Sequence, residues 1–292
     1  MKLLDKLAAL FKSNRLDIPA RFERIRESIT GTMSEFMVVR EHSTGRVYGL
    51  KILDKEKQEF FDSRFSGLKR PCEGQIACGM KHPNIAEAYE HGLLVNGQQY
   101  VLMEMVEGRG LQAMCNDHDP HLEGEQLNLL RQMAESLAYV HEQGYIHRDI
   151  CSRNFIVSRD GKTVKLIDFG LSLPAKPEFM TAGNRTGTPN YMSPEIVRRR
   201  PTDQRSDIFA FGVTAYRLCA YELPWIAQTG TGKDALQHDT IAPRNITAFR
   251  PYIDPRLAKA IHSCIQVNPK DRPQTMRDFL TLIMGIKEID TR

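Results

Sequence analysis

His147-Arg148-Asp149-Ile150-Cys151-Ser152-Arg153-Asn154, the run FIVSRDGKTVKLI from Phe155 to Ile167, and Asp168-Phe169-Gly170 form the stretch that decides the fold. Phe155-Ile156-Val157 and Val164-Lys165-Leu166-Ile167 are β-rich runs joined through Arg159-Asp160-Gly161-Lys162, and Asp-Gly is a strong tight-turn signal. The predicted hairpin brings Asp149, Asn154 and Asp168 to one edge. An acid, an amide five residues on and a second acid before glycine then converge as hard oxygen donors. Such a set suits Mg²⁺, which shares its octahedron with waters and substrate phosphates.

The pattern resembles the H-R-D-x-x-x-x-N and D-F-G elements of the protein kinases. The resemblance implies an α+β, bilobed fold, with a small β-rich N-lobe and a larger, mainly α-helical C-lobe that hold ATP and Mg²⁺ in a cleft. It extends over roughly residues 21–285. The domain expectation is an N-terminal amphipathic helix over 1–20, a kinase N-lobe over 21–103, a hinge over 104–110 and a C-lobe over 111–292.

Composition agrees with a globular chain. The 292 residues are long for one core and fit one bilobed unit or two domains. A hydrophobic share of 41% and a charged share of 26% are ordinary for a soluble protein. Forty basic residues against 36 acidic leave a net charge of +4, too little to argue for nucleic acid, so no nucleic-acid partner is expected. The six cysteines show no C-x-x-C spacing, and no basic n-region leads into an apolar h-region and cleavage site. A reducing, cytoplasmic setting follows as the expectation. The most apolar run, IFAFGVTAYRLCAYELPW from Ile208, carries Arg217 and Glu222 and is too short to span a bilayer. It reads as a buried helix.

Taken in order, Met1–Lys12 places Leu3, Leu4, Leu7, Leu10 and Phe11 on one helical face. Two readings follow: a helix packed on its own small lobe, or one that touches a partner or a membrane surface. From about Arg21 the pattern turns β-like, through FERIRESI, FMVVR and VYGLKIL, with a turn at Ser43-Thr44-Gly45. By resemblance Lys51, at the end of the third strand, holds the α- and β-phosphates of ATP. The loop between the first two strands departs from the family's glycine-rich G-x-G-x-x-G. Its glycine positions fall on Thr30, Thr32 and Glu35, which leaves Gly31 alone to approach phosphate. A carboxylate at Glu35 would repel a triphosphate.

Kinases pair the strand lysine with a helix glutamate nine residues before a His-Pro-Asn-Ile motif. His82 follows Glu73 by nine, so Glu73 is the expected partner. Pro71 makes that helix start late, with a separate element over 56–66. Tyr100–Met103 reads as a buried strand that leads to the hinge, where the resemblance implies that the Glu104 carbonyl and the Val106 amide face adenine. Leu127, Leu130, Ala134, Leu137 and Val140 recur at helical spacing and end near Gly144.

Within the central stretch the resemblance makes Asp149 the group that orients the acceptor hydroxyl, with Asn154 and Asp168 as metal ligands and His147 as a packed scaffold residue. Cys151 stands where many serine/threonine kinases carry a lysine. Arg153 occupies the place of a tyrosine-kinase arginine and is the candidate to neutralise the γ-phosphate. Gly187-Thr188-Pro189-Asn190-Tyr191-Met192-Ser193-Pro194-Glu195 resembles the end of a serine/threonine-kinase activation segment. Thr188 is expected to touch Asp149. Arg148 is expected to meet a phosphorylated loop residue, Thr181 in preference to Thr186. Asp207 should brace the loop and Arg272 should pair with Glu195. The resulting expectation is a protein serine/threonine kinase with Mg·ATP as cofactor and a protein as substrate. The alternatives are a catalytically weak scaffold of the same fold and a tyrosine or dual-specificity enzyme.

Overall fold

The computed structural model describes residues 15–26, 29–31, 33–183, 185–226 and 233–291. The helix expected over Met1–Lys12 lies outside the described residues, as does Thr32. Two compact units divide the chain, one of Met1–Lys81 with Ala86–Val106 and one of His82–Ile85 with Glu107–Arg292. The first is β-rich and the second mainly helical, which meets the expectation of a bilobed α+β fold.

In the first unit a short helix α1 (Ile18–Arg21) leads into strands β1 (Phe22–Arg24), β2 (Ile29–Thr30), β3 (Ser34–Glu41) and β4 (Val47–Leu53). Strands β5 (Ala88–Leu93) and β6 (Gln99–Glu104) complete one antiparallel sheet, ordered β1-β3-β4-β6-β5 with β2 also on β3. Val39, Leu50 and Leu102 are buried from β3, β4 and β6, and pack with Leu16, Phe22, Leu94 and Tyr100. After β4 the Asp54 carboxylate accepts from the Lys57 N–H and caps α2 (Lys55–Asp62), which a 3-10 turn extends over Ser63–Phe65. The next helix, α3 (Glu73–Gly79), starts at Glu73 itself, two residues after Pro71. The late start and the separate preceding element are both as read from the proline.

The second unit opens with β7 (Gly108–Gly110) and α4 (Leu111–Asn116), then α5 (Gln126–Glu142). Leu127, Leu130, Ala134, Leu137 and Val140 all lie on the buried face of α5. Beyond β8 (Tyr145–Ile146) come the hairpin strands β9 (Phe155–Ser158) and β10 (Val164–Leu166), then β11 (Leu173–Pro174), which pairs with β8. The hairpin was expected; β7, which adds a third strand on β9, was not. A Cβ on Gly108 would lie 2.0 Å from the Val157 carbonyl oxygen, so only glycine lets that backbone approach. Helices α6 (Pro194–Val197), α7 (Arg205–Ala220), α8 (Pro255–Cys264) and α9 (Met276–Leu282) follow. The apolar run from Ile208 lies in α7, buried along nearly its whole length, only as far as Ala220. Tyr221, at φ +59, ends the helix, and the rest of the run, to Trp225, lies beyond it. Among the described residues no helix is long and apolar enough to cross a membrane.

Candidate active site

In the first unit Lys51 lies in the middle of the sheet, paired with Phe36 on β3 and Val101 on β6. Its ammonium donates to Glu73 Oε1 at 2.5 Å, and both residues are buried, at 7% and 3% exposure. A buried charge is tolerable only when paired, so the first residue of α3 and the centre of β4 are held to each other. Gly31 lies in the turn between β2 and β3, where its N–H donates to the Ser34 carbonyl at 2.7 Å, and Glu35 opposes Thr30 across the hairpin. Glu104 closes β6; its N–H donates to the Glu87 carbonyl at 2.8 Å, and Val106 follows two residues on, half-buried.

In the second unit the loop between β8 and β9 holds the other candidates. Asn154 Nδ2 donates to the Asp149 carbonyl at 2.7 Å and to Asp149 Oδ2 at 3.1 Å, which leaves the amide oxygen for another ligand. The Ile167 N–H donates to the Asn154 carbonyl at 2.9 Å, tying the residue before Asp168 to this loop. Asp168 has φ +73 and Arg148 has φ +68, both in the left-handed region that side chains seldom occupy. Asp168 Oδ1 accepts from the Gly170 N–H at 2.8 Å.

Burial raises the Asp149 carboxyl above its usual range, the Asp168 charge adds to this, and hydrogen bonds from Thr188 and Asn154 work the other way. A carboxylate with raised proton affinity is better matched to proton transfer near neutrality. Among the described residues no three His, Cys, Asp or Glu side chains converge into a metal cage. Magnesium asks for less: one or two carboxylates, with substrate phosphates and water completing its shell. The Asp168 carboxylate and the spare Asn154 oxygen fit that demand.

Support for the loop comes from below. Asp207, at the start of α7, accepts from the backbone N–H of His147 at 2.7 Å and of Arg148 at 2.8 Å. His141 Nε2 lies 3.0 Å from the same carboxylate. Burial alone would raise the Asp207 carboxyl, but these donors and nearby histidines reverse that and hold it below the usual range. His147 is buried at 1% exposure; its Nδ1 accepts from the Asp149 N–H at 3.3 Å and its ring lies against Phe169. The brace by Asp207 and the packed histidine were expected. His141 was not, because a lone histidine in the last turn of a helix reads as a partner for the dipole.

Thr188 donates its N–H at 2.9 Å and its hydroxyl at 2.7 Å to Asp149 Oδ1, as expected. Arg153 Nη2 donates to the Thr188 hydroxyl at 2.9 Å. Cys151 is buried, its Sγ 3.6 Å from that hydroxyl, and burial pushes its thiol up, so it stays neutral. Arg272 Nη1 and Nη2 donate to the two Glu195 oxygens at 2.8 and 2.9 Å, the expected buried pair.

In the unmodified chain Arg148 meets Thr186, the threonine not preferred as its phosphorylated partner. Arg148 Nη2 reaches the Thr186 hydroxyl at 3.3 Å and Nη1 reaches that of Thr202 at 3.4 Å, while Thr181 is exposed. The cause is Gly187, at φ +125, where a Cβ would lie 2.9 Å from the Arg148 carbonyl oxygen. That close passage of two backbones delivers Thr186 to Arg148.

Comparison with known proteins agrees with this geometry. Residues 24–281 match the protein kinase domain. Serine/threonine-protein kinase pkn3 of Myxococcus xanthus is 30% identical over 266 residues, covering 88% of this chain and 48% of the relative. Serine/threonine-protein kinase pkn2 of the same organism is 33% identical over 275 residues, with 90% and 32% covered. Mouse serine/threonine-protein kinase Nek1 is 31% identical over 261 residues, with 87% and 20% covered. The chain thus spans about half or less of the length of these relatives. With the domain matched over most of its residues, the chain belongs to the protein kinase family.

Proposed function

We propose that this chain is a protein serine/threonine kinase that transfers the γ-phosphate of Mg·ATP to hydroxyls of a protein substrate. The observation that carries the reading is the Lys51–Glu73 pair, 2.5 Å long and buried from both sides. Phosphoryl transfer asks a protein chiefly for positioning and charge neutralisation. In this reading Lys51 holds phosphate oxygens and Glu73 holds Lys51. Asn154 and Asp168 hold Mg²⁺, while Gly31 and the backbone of Glu104 and Val106 meet the nucleotide. Bound Mg·ATP supplies the phosphoryl group and the cation that offsets its charge. Asp149 orients the acceptor hydroxyl and takes its proton, a role its raised proton affinity supports.

Arg153 provides the positive charge that the neutral Cys151 thiol does not. The relatives' serine/threonine designations and the platform from Gly187 to Glu195 favour serine or threonine as acceptor. The six cysteines, all unbridged, support a reducing, cytoplasmic setting. A second reading, a binding module of the same fold, is favoured by Glu35 in the phosphate loop and by Cys151.

Incubation with radiolabelled ATP and Mg²⁺, then phosphoamino-acid analysis, separates the two. Label on serine or threonine is expected for the wild type and not for Asp149→Asn. Equal labelling of the two proteins, or none with the wild type, refutes the enzymatic reading.

A further inference from the structure

Between Glu178 and Asp203 the chain carries four arginines, at 185, 198, 199 and 200, against one acid, Glu195, which Arg272 neutralises. The three consecutive arginines begin immediately after α6, just past the platform that ends at Glu195. Arg198 is spoken for: its Nε and Nη2 donate to Asp239 at 2.7 Å each, and this pairing holds the Asp239 carboxyl below its usual range. Arg199 and Arg200 are exposed, and among the described residues neither side chain makes a hydrogen bond or ion pair. The nearest acids offer little competition. Asp203 is held by Arg205, and Asp239 by Arg198 with a lesser contribution from Arg200.

Backbone contacts fix where these two charges sit. Arg199 has φ +55, and its N–H donates to the carbonyl of Ile196, a residue that lines one small cavity together with Asp149, Thr188 and Met192. The Arg199 carbonyl accepts from the Gly183 N–H at 3.1 Å, and the Thr202 N–H donates to Met180 at 3.1 Å. The arginines therefore stand at the junction of the platform that contacts Asp149 and the loop that precedes it. Arg199, and Arg200 with only a share of the Asp239 charge that Arg198 already pairs, attract carboxylates and repel basic chains there.

We propose that Arg199 and Arg200 read the substrate, selecting peptides with acidic side chains close to the acceptor serine or threonine. This deepens, and rests on, the kinase reading above. Two rim ion pairs that strengthen peptide binding correspond to a preference of roughly tenfold for an acidic over a neutral flank, weakened by salt.

The test uses three peptides with one acceptor serine each, flanked by glutamates, glutamines or lysines, and the wild-type and Arg199→Gln/Arg200→Gln proteins. Wild type is expected to show kcat/KM about tenfold higher for the glutamate peptide than for the glutamine peptide, with the difference in KM. The double variant, shown to be folded by circular dichroism, should bring that ratio close to one. Equal kcat/KM for acidic and neutral peptides in wild type overturns the proposal. So does a ratio preserved in the double variant, or a variant equally slowed on every peptide, which would make the arginines supports of the loop. Fluorescence anisotropy of the same labelled peptides runs beside the assay and needs no turnover. If no peptide is phosphorylated, the kinase reading fails, and the proposal is then judged by whether the glutamate peptide binds wild type more tightly than the double variant. Equal affinities overturn it.

Discussion

Replacing Arg272 by methionine should unfold the second unit at a markedly lower temperature. The Arg272 side chain is fully buried and donates five hydrogen bonds. Two go to Glu195, and the others reach the carbonyls of Gln266 at 2.8 Å, Arg205 at 2.8 Å and Val267 at 3.1 Å. Its guanidinium also lies 5.0 Å from the centre of the Phe209 ring. Methionine fills part of the volume but leaves the Glu195 carboxylate, at 7% exposure, without its cation. Removing one member of a buried pair costs about 3–5 kcal/mol. For a unit of this size each kcal/mol moves the midpoint by about 2–4 °C, so a fall of roughly 10 °C is expected.

The only tryptophan, Trp225, stacks on Phe209 with ring centres 5.8 Å apart, so its fluorescence during heating reports this unit. A companion Arg272→Met/Glu195→Leu variant should recover a substantial part of the loss, because the stranded charge has gone. A midpoint within about 2 °C of wild type for the single variant, or a further loss in the double one, would refute the reasoning.

Two further outcomes follow from the site and its surroundings. Burial lowers the pKa of His238 and His147, at 2% and 1% exposure, so both stay neutral in the fold while the unfolded chain takes up protons near the ordinary value of 6.5. Their contribution is complete above pH 6.5 and is lost as pH falls below it toward the folded pKa, at about 1.4 kcal/mol per pH unit for each. Thermal midpoints should therefore drop between pH 7 and pH 5.5, less steeply in His238→Gln; a flat wild-type profile, or a variant with the wild-type slope, contradicts this. Thr186, beside Arg148, is the expected phosphorylation site, where a phosphate would add about −1.5 to −2 charge opposite the guanidinium. Mass spectrometry should find it in active protein and Thr186→Ala should lower activity, whereas loss confined to Thr181→Ala would return the role to Thr181.

Much of this arrangement is legible before any coordinates, because it rests on local periodicity and on spacing along the chain. The β9–β10 hairpin, α5 and the late start of α3 each follow from a handful of neighbouring residues and one proline or glycine. The pairs Lys51–Glu73 and Arg272–Glu195 are instead implied by the resemblance to the protein kinases, whose motifs this chain matches. Three features were hidden, each for a physical reason. Gly108–Gly110 has no strand propensity and becomes β7 only because a Cβ-free backbone fits against Val157. Which threonine the unmodified Arg148 touches turns on the φ of Gly187, which no pattern of side chains reveals. His141 serves Asp207 across 66 residues of chain, a contact that belongs to the fold and not to either segment.

The left-handed backbone at Arg148 and Asp168 has a practical consequence. Conformations of that kind cost about 1–3 kcal/mol each and persist only where the surroundings hold them. Here the grip comes from Asp207 beneath one position and from the hydrogen bond to Gly170 beside the other. The loop is thus a loaded spring whose tension keeps its carboxylates aimed, and the helices around it supply the frame. Anyone breeding a hardier form of this protein would find gains within easy reach at these two positions, and each would slacken the spring. Durability should be sought instead on the outer faces of α8 and α9, where nothing has to be kept taut.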